Sequence, residues 1–233
     1  MKKYRTPSLV INLKNYSEIY SNYSIDIAKI SESVASETSV EVIVCPPNPV
    51  LSKLIENVNI PIYAQHVDNA KIGSSTGSIV PELLKSINCS GSLINHSEKR
   101  IPIDEIEKLI NRFHEIELTS LVCAQSIDEV EEIAKLSPDI IAIEPPELIG
   151  SGRAVSKVNP KIISESVEVV NKINNNIDVL CGAGIMTGED VSIALELGSK
   201  GILIASGIIQ SDDWKNKITE LATPMTMHQN NND

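Results

Sequence analysis

The sequence predicts an α/β chain closed into a single-domain (β/α)8 barrel, and three observations carry that expectation. Eight short β-rich runs alternate with longer amphipathic stretches from end to end, several of the runs are apolar throughout, and no break in composition marks a second domain. The 233 residues also lie close to the length such a barrel needs, roughly 250. A doubly wound open sheet shares the same alternation.

The strand-like runs are Ser8–Leu13, Val40–Cys45, Ile60–Gln65, Gly91–Asn95, Thr119–Cys123, Ile140–Glu144, Val179–Cys181 and Gly201–Ala205. In Ile140-Ile141-Ala142-Ile143 neither face of a strand would be polar, which suits a parallel strand covered on both sides. Helix starts lie between the runs. Ser126 and Thr187 each precede an acid by three residues, the spacing of a capping box, and Asn159-Pro160 puts proline at a first helical position. Ser211-Asp212-Asp213 opens the last helix with acids at its positive end, and Gly198 is a stop for the helix begun at Thr187. The barrel is expected over residues 1–224, with 225–233 a polar, disordered C-terminal tail.

Composition narrows the function. With 42% hydrophobic residues there is material for a large core, yet no apolar run of about 18 residues that could span a bilayer. Lys2 and Lys3 are followed by neither an apolar h-region nor a small-residue cleavage site, so a cytoplasmic location is expected. Cys45, Cys89, Cys123 and Cys181 lie far apart without C-x-x-C spacing, which argues against a disulfide framework or a zinc site. A net charge of −11 disfavours nucleic acid and anionic membranes as partners. An anionic substrate would then have to be held by local donors, backbone N–H groups above all.

Three ionisable residues stand at strand C-termini, where they would overhang one barrel mouth: Lys14 after the first strand, His96 after the fourth and Glu144 at the end of the sixth. A cation, an imidazole and a carboxylate converging on one cavity supply an oxyanion stabiliser, an electrophile and a general base. That set can pull a proton from a carbon next to a carbonyl. Cys181-Gly182-Ala183-Gly184 after the seventh strand and Ala205-Ser206-Gly207 after the eighth let backbone N–H groups approach a phosphate closely. The longest interval between strands holds Pro145-Pro146-Glu147-Leu148-Ile149-Gly150-Ser151-Gly152, and extra length there points to a functional loop.

With these segments in view, the chain resembles the triosephosphate isomerase family, and within it the compact archaeal type. The matching stretches are Ile11–Tyr16, Asn95–Arg100, Glu144–Gly152, Cys181–Ile185 and Ala205–Gly207, which span the whole chain in order. The resemblance implies a TIM barrel that interconverts D-glyceraldehyde 3-phosphate and dihydroxyacetone phosphate in glycolysis and gluconeogenesis, without cofactor or metal. It implies Glu144 as the catalytic base, His96 as the electrophile, and Lys14 with Asn12 as polar support for substrate and enediolate. It implies a phosphate cradle of backbone N–H groups near Ile149, Gly184, Ala205 and Ser206, Pro145–Gly152 as a lid, and Ser97 as the resting partner for the base when that lid is open. The neutral imidazole and the water-excluding lid are the handling of this chemistry already described for the family. Asn95 stands where bacterial and eukaryotic members usually carry glycine, a feature similar to the archaeal branch.

Each residue also has a plainer reading. His66 and Asp68 at the end of the third strand fit a rim hydrogen-bond network better than a metal site, because no third ligand is spaced nearby. Glu98 and Arg100 are read as structural, paired with each other or with a neighbouring subunit. Gly73–Gly77 fits a surface loop, yet resembles the family's protruding loop that inserts into a partner subunit, with Thr76 at its tip, so a homodimer or homotetramer is expected. Two other functions share the glycine loops: another phosphate-binding barrel isomerase, and a catalytically silent phosphate-binding barrel. The first needs a different acid/base pair and a roomier mouth; the second has no use for three intact catalytic positions.

Overall fold

The computed structural model describes residues 4–145 and 159–230. Strands β1 (Ser8–Asn12), β2 (Glu41–Cys45), β3 (Tyr63–Ala64), β4 (Gly91–Ile94), β5 (Thr119–Ala124), β6 (Ile140–Ile143), β7 (Asp178–Cys181) and β8 (Gly201–Ile204) follow the eight expected runs. Neighbours are parallel in the order β2-β1-β8-β7-β6-β5-β4-β3. One further parallel bridge, Val44 to Ile62, joins β2 to the segment leading into β3. The sheet therefore meets itself as a (β/α)8 barrel, and the open-sheet alternative falls away. β3 is much shorter than its run because Pro61 has no N–H to give the ladder; its carbonyl instead accepts the Val44 N–H at 3.2 Å.

Alternate strand residues face opposite ways. Val10, Ile43, Tyr63, Leu93, Leu121, Leu180 and Leu203 fill the barrel interior, while Leu9, Ile11, Val42, Val44 and Ile141 pack outward beneath the helices. Both faces are buried, which is why these strands read as continuous apolar runs.

The helices are α1 (Tyr23–Thr38), α2 (Leu51–Ile55), α3 (Pro81–Ser86), α4 (Ile103–Ile116), α5 (Ile127–Ala134), α6 (Pro160–Ile173), α7 (Gly188–Glu196), α8 (Ser206–Ile209) and α9 (Trp214–Asn230). Thr187 and Asp190 form the complete capping box at α7, and Ser126 accepts the Glu129 N–H at α5. Gly198, with φ +96°, follows the end of α7. At α9 the cap is Asp213, whose carboxylate accepts the Asn216 N–H at 3.0 Å; Ser211 instead accepts from Asp213.

The expected polar tail from residue 225 is not what the described residues show, since α9 continues to Asn230. Ile218, Leu221, Ala222 and Met225 make a buried stripe at helical spacing, and Met225 has no exposed surface. Packing extends the helix past Pro224, which sits inside it.

Candidate active site

Strand ends on one rim of the barrel carry the site. At the end of β1, Asn12 is buried, and its side-chain oxygen accepts the Lys14 N–H at 3.0 Å. That bond turns the chain sharply, leaving Lys14 at φ +45°, a conformation few non-glycine residues adopt. Gln65 braces the same turn from β3, donating to the Lys14 and Cys45 carbonyls at 3.0 Å each. The Lys14 ammonium then reaches Glu98, 2.8 Å away in the loop after β4.

His96 follows β4 and is buried. The Glu98 N–H donates to its Nδ1 at 3.2 Å, so the imidazole proton rests on Nε2. Burial, reinforced by the Lys14 charge, lowers its pKa to about 4, and the ring is neutral at pH 7. Glu144 follows β6 and is buried too; burial pushes its carboxyl up to about 7, offset in part by the Cys123 thiol and the Lys14 charge. The two groups face each other, His96 Nε2 lying 3.6 Å from Glu144 Oε1.

The opposite wall is made by the loops after β7 and β8. A Cβ on Gly182 would stand 2.5 Å from the Glu144 Cγ, so glycine there leaves the carboxylate side chain its room. Gly184 takes φ +70°, turning the loop where a side chain would be strained. At the start of α8 the N–H groups of Ser206 and Gly207 have no carbonyl within the helix to bond, which suits them to an anion.

A cavity of about 80 Å³ is lined by Asn12, Lys14, His96, Glu144, Gly184, Ala205 and Ser206. All the expected site residues except Ile149 are thus brought together. Ile149, with the rest of the expected lid beyond Pro145, lies outside the described residues. Tyr16 and Met186 also line the cavity and were not expected there; Tyr16 is the last residue of the matched stretch Ile11–Tyr16, and Met186 follows Cys181–Ile185 by one residue. The pairing of Glu98 with Arg100 is corrected: Glu98 holds Lys14, and Arg100 grips Glu129 with contacts of 2.6 and 2.7 Å. Ser97 Oγ and Glu144 Oε2 are both buried without a hydrogen-bond partner among the described residues; the pairing expected of them belongs to an open lid, and the lid lies outside those residues. His66 and Asp68 pair at the rim at 3.0 Å.

The comparisons with known proteins agree with this geometry. The family model described as "Triosephosphate isomerase" matches residues 7–222. A triosephosphate isomerase from Methanocaldococcus jannaschii is 47% identical over 91% of this chain and 97% of that protein. One from Methanothermus fervidus is 44% identical over 94% of this chain and 99% of its own length, and one from Caldivirga maquilingensis 40% over 95% and 98%. A rim that gathers a neutral imidazole, a carboxylate and a lysine opposite two glycine loops is thus joined to whole-chain likeness, and the chain belongs to the triosephosphate isomerase family.

Proposed function

We propose that the protein interconverts D-glyceraldehyde 3-phosphate and dihydroxyacetone phosphate, serving glycolysis and gluconeogenesis in the cytoplasm. The observation that carries the reading is the pair His96 and Glu144, one neutral donor and one carboxylate poised near pH 7, 3.6 Å apart in a cavity also lined by the glycine loops after β7 and β8. Glu144 takes a proton from the carbon beside the carbonyl, and the electron pair moves onto the carbonyl oxygen as an enediolate. His96 Nε2–H and the Lys14 ammonium stabilise the developing negative charge, and Asn12 holds Lys14 in place. His96 Nε2 gives its proton to the enediolate oxygen and takes the hydroxyl proton from the neighbouring oxygen, while Glu144 returns its proton to the neighbouring carbon and the other carbon becomes the carbonyl, so protons and atoms balance over the cycle. The phosphate rests on the N–H groups of Gly184, Ala205 and Ser206, with Ile149 contributing from the lid.

The site is completed by a second subunit. An adjoining cavity of about 240 Å³ that shares Asn12, Lys14 and His96 with the first, and is lined also by Asn15, Gln65, His66, Glu98 and Lys99, supports this as a socket for the Gly73–Gly77 loop of a partner. The homodimer, or a tetramer built from it, would brace Lys14 across the interface. One experiment tests the activity directly: NADH oxidation by glycerol-3-phosphate dehydrogenase coupled to glyceraldehyde 3-phosphate. Rapid, enzyme-dependent oxidation is expected; its absence at micromolar enzyme would sink the reading.

A further inference from the structure

We propose that Asn95 is a positioning residue that fixes the His96 imidazole, acting through a hydrogen-bonded latch between the loop after β4 and the start of α5. The inference rests on the isomerase reading above. Asn95 is 1% exposed and takes φ +61°. Asparagine tolerates that left-handed conformation, but the conformation alone would ask for no more than glycine. The side chain does something further.

Its Nδ2 donates to the Cys123 carbonyl on β5 and to Glu129 Oε1 on α5, each at 3.0 Å, and its Oδ1 accepts the Ile101 N–H at 3.1 Å. The amide has one workable orientation, because a flipped group would set oxygen against a carbonyl and a carboxylate. Arg100 closes the same loop by donating to the Asn95 carbonyl at 2.9 Å while gripping both Glu129 oxygens. Glu129 also accepts the Gln125 N–H at 2.8 Å. Residues 95–101 are thereby tied to themselves, to β5 and to α5.

His96 is the next residue in this loop. Its Nδ1 is held by a bond from Glu98, which belongs to the same loop. The imidazole therefore inherits its placement from the loop, and the loop takes its placement from Asn95 and Glu129. The substitution Asn95→Gly would keep the turn and lose the stitches. Asn95→Asp would keep the shape and turn a donor pair into an acceptor pair facing the Cys123 carbonyl and the Glu129 carboxylate.

The test compares wild type with Asn95→Asp, Asn95→Gly and the double variant Asn95→Asp/Glu129→Gln, which returns a donor to the latch. Readouts are kcat and KM, inhibition by inorganic phosphate, the imidazole ¹⁵N shifts of His96, and far-UV CD to confirm folding. In Asn95→Asp kcat should fall by about tenfold or more with phosphate inhibition within about twofold of wild type, since a small displacement of a catalytic group is costly while the phosphate loops are untouched. The imidazole ¹⁵N shifts should move toward a tautomer mixture, Asn95→Gly should show a smaller fall, and the double variant should recover at least about threefold over Asn95→Asp. If Asn95→Asp does not fold, Asn95→Gly carries the test through the same shifts. Folded variants with kcat within about twofold of wild type and unmoved imidazole signals would overturn the proposal. So would a loss of kcat matched by an equal loss of phosphate binding, which marks general damage. A wild type without isomerase activity refutes the function, while the imidazole shifts still report on the latch.

Discussion

His96 Nε2 stands 3.6 Å from Glu144 Oε1, too far for a hydrogen bond and close enough for two bound oxygens or carbons to be touched by both groups. Burial acts on them in opposite senses, holding the imidazole neutral and pulling the carboxyl toward neutrality. In the proposed reaction, a base and an electrophile separated in this way would not quench each other, and either could reach the substrate.

The first prediction removes the base. Glu144→Gln keeps the shape and takes away the proton acceptor, so kcat should fall by about 10²–10⁴-fold with phosphate inhibition unchanged. Steady-state kinetics in both directions check it. A variant that keeps more than about a tenth of wild-type kcat would move the base elsewhere.

The same substitution should alter how stability depends on pH. In the folded chain the Glu144 pKa is raised from its ordinary 4.5 to about 7, so the folded state binds more protons than the unfolded state between those values. Its contribution to stability is fully present below pH 4.5 and is lost as pH rises through 7. His96 works the other way: lowered from 6.5 to about 4, it contributes above pH 6.5 and is lost as pH falls toward 4. Glutamine does not ionise, so Glu144→Gln should gain stability relative to wild type on going from pH 4.5 to pH 8. Urea unfolding at the two values measures this, and an equal difference between the proteins at both would contradict the raised pKa.

A third prediction concerns Gly182. An alanine Cβ would meet the Glu144 Cγ at 2.5 Å and the Ile143 carbonyl at 3.1 Å. The strand backbone is fixed, so the carboxylate side chain is the part that must move. Gly182→Ala should fold, lose about 1–3 kcal/mol of stability from overpacking, and lose about tenfold or more in kcat as the base is displaced. Chemical denaturation and kinetics separate the two effects; full activity in the folded variant would show that the base tolerates a shift.

Much of this was legible in the sequence because parallel strands are buried on both faces and announce themselves as apolar runs, as Ile140–Ile143 does. Once the strands are placed, the residues after them must gather at one rim, and Lys14, His96 and Glu144 do so. Partner choice was not legible. Glu98 and Arg100 are two residues apart, yet one pairs with Lys14 on β1's loop and the other with Glu129 on α5, a division set by which loops the barrel closure brings together. Asn95 read only as a departure from glycine, since its value lies in partners 28 and 34 residues away. The last helix was cut short because its polar residues hide the stripe that ends in Met225.

The last prediction concerns assembly, and it starts from Lys14. The turn that carries this residue is strained at φ +45° and is held by Asn12 and Gln65, both of which line the cavity of about 240 Å³ beside it. The Gly73–Gly77 loop is exposed, turns at positive φ at both glycines, and follows Ile72, which is 72% exposed. An exposed isoleucine beside a projecting loop, on a chain that also holds an open socket at Lys14, suits the proposed two-fold contact, in which each copy would supply both parts. The socket wall carries Lys14 and Lys99 and one carboxylate, Glu98, which is already engaged by Lys14 at 2.8 Å, so the wall is net positive. Thr76→Arg at the loop tip should then set like charges against each other and shift the protein toward monomer, at a dilution where wild type remains a dimer by light scattering. Because the loop of one copy braces the lysine of the other, kcat should fall by about tenfold in step with dissociation, and should recover when the variant is concentrated enough to reassociate. If the wild type is monomeric at micromolar concentration with full activity, Lys14 needs no brace from a partner and the socket has another explanation. If Thr76→Arg dissociates the protein without touching kcat, the contact assembles the subunits but plays no part in holding the site.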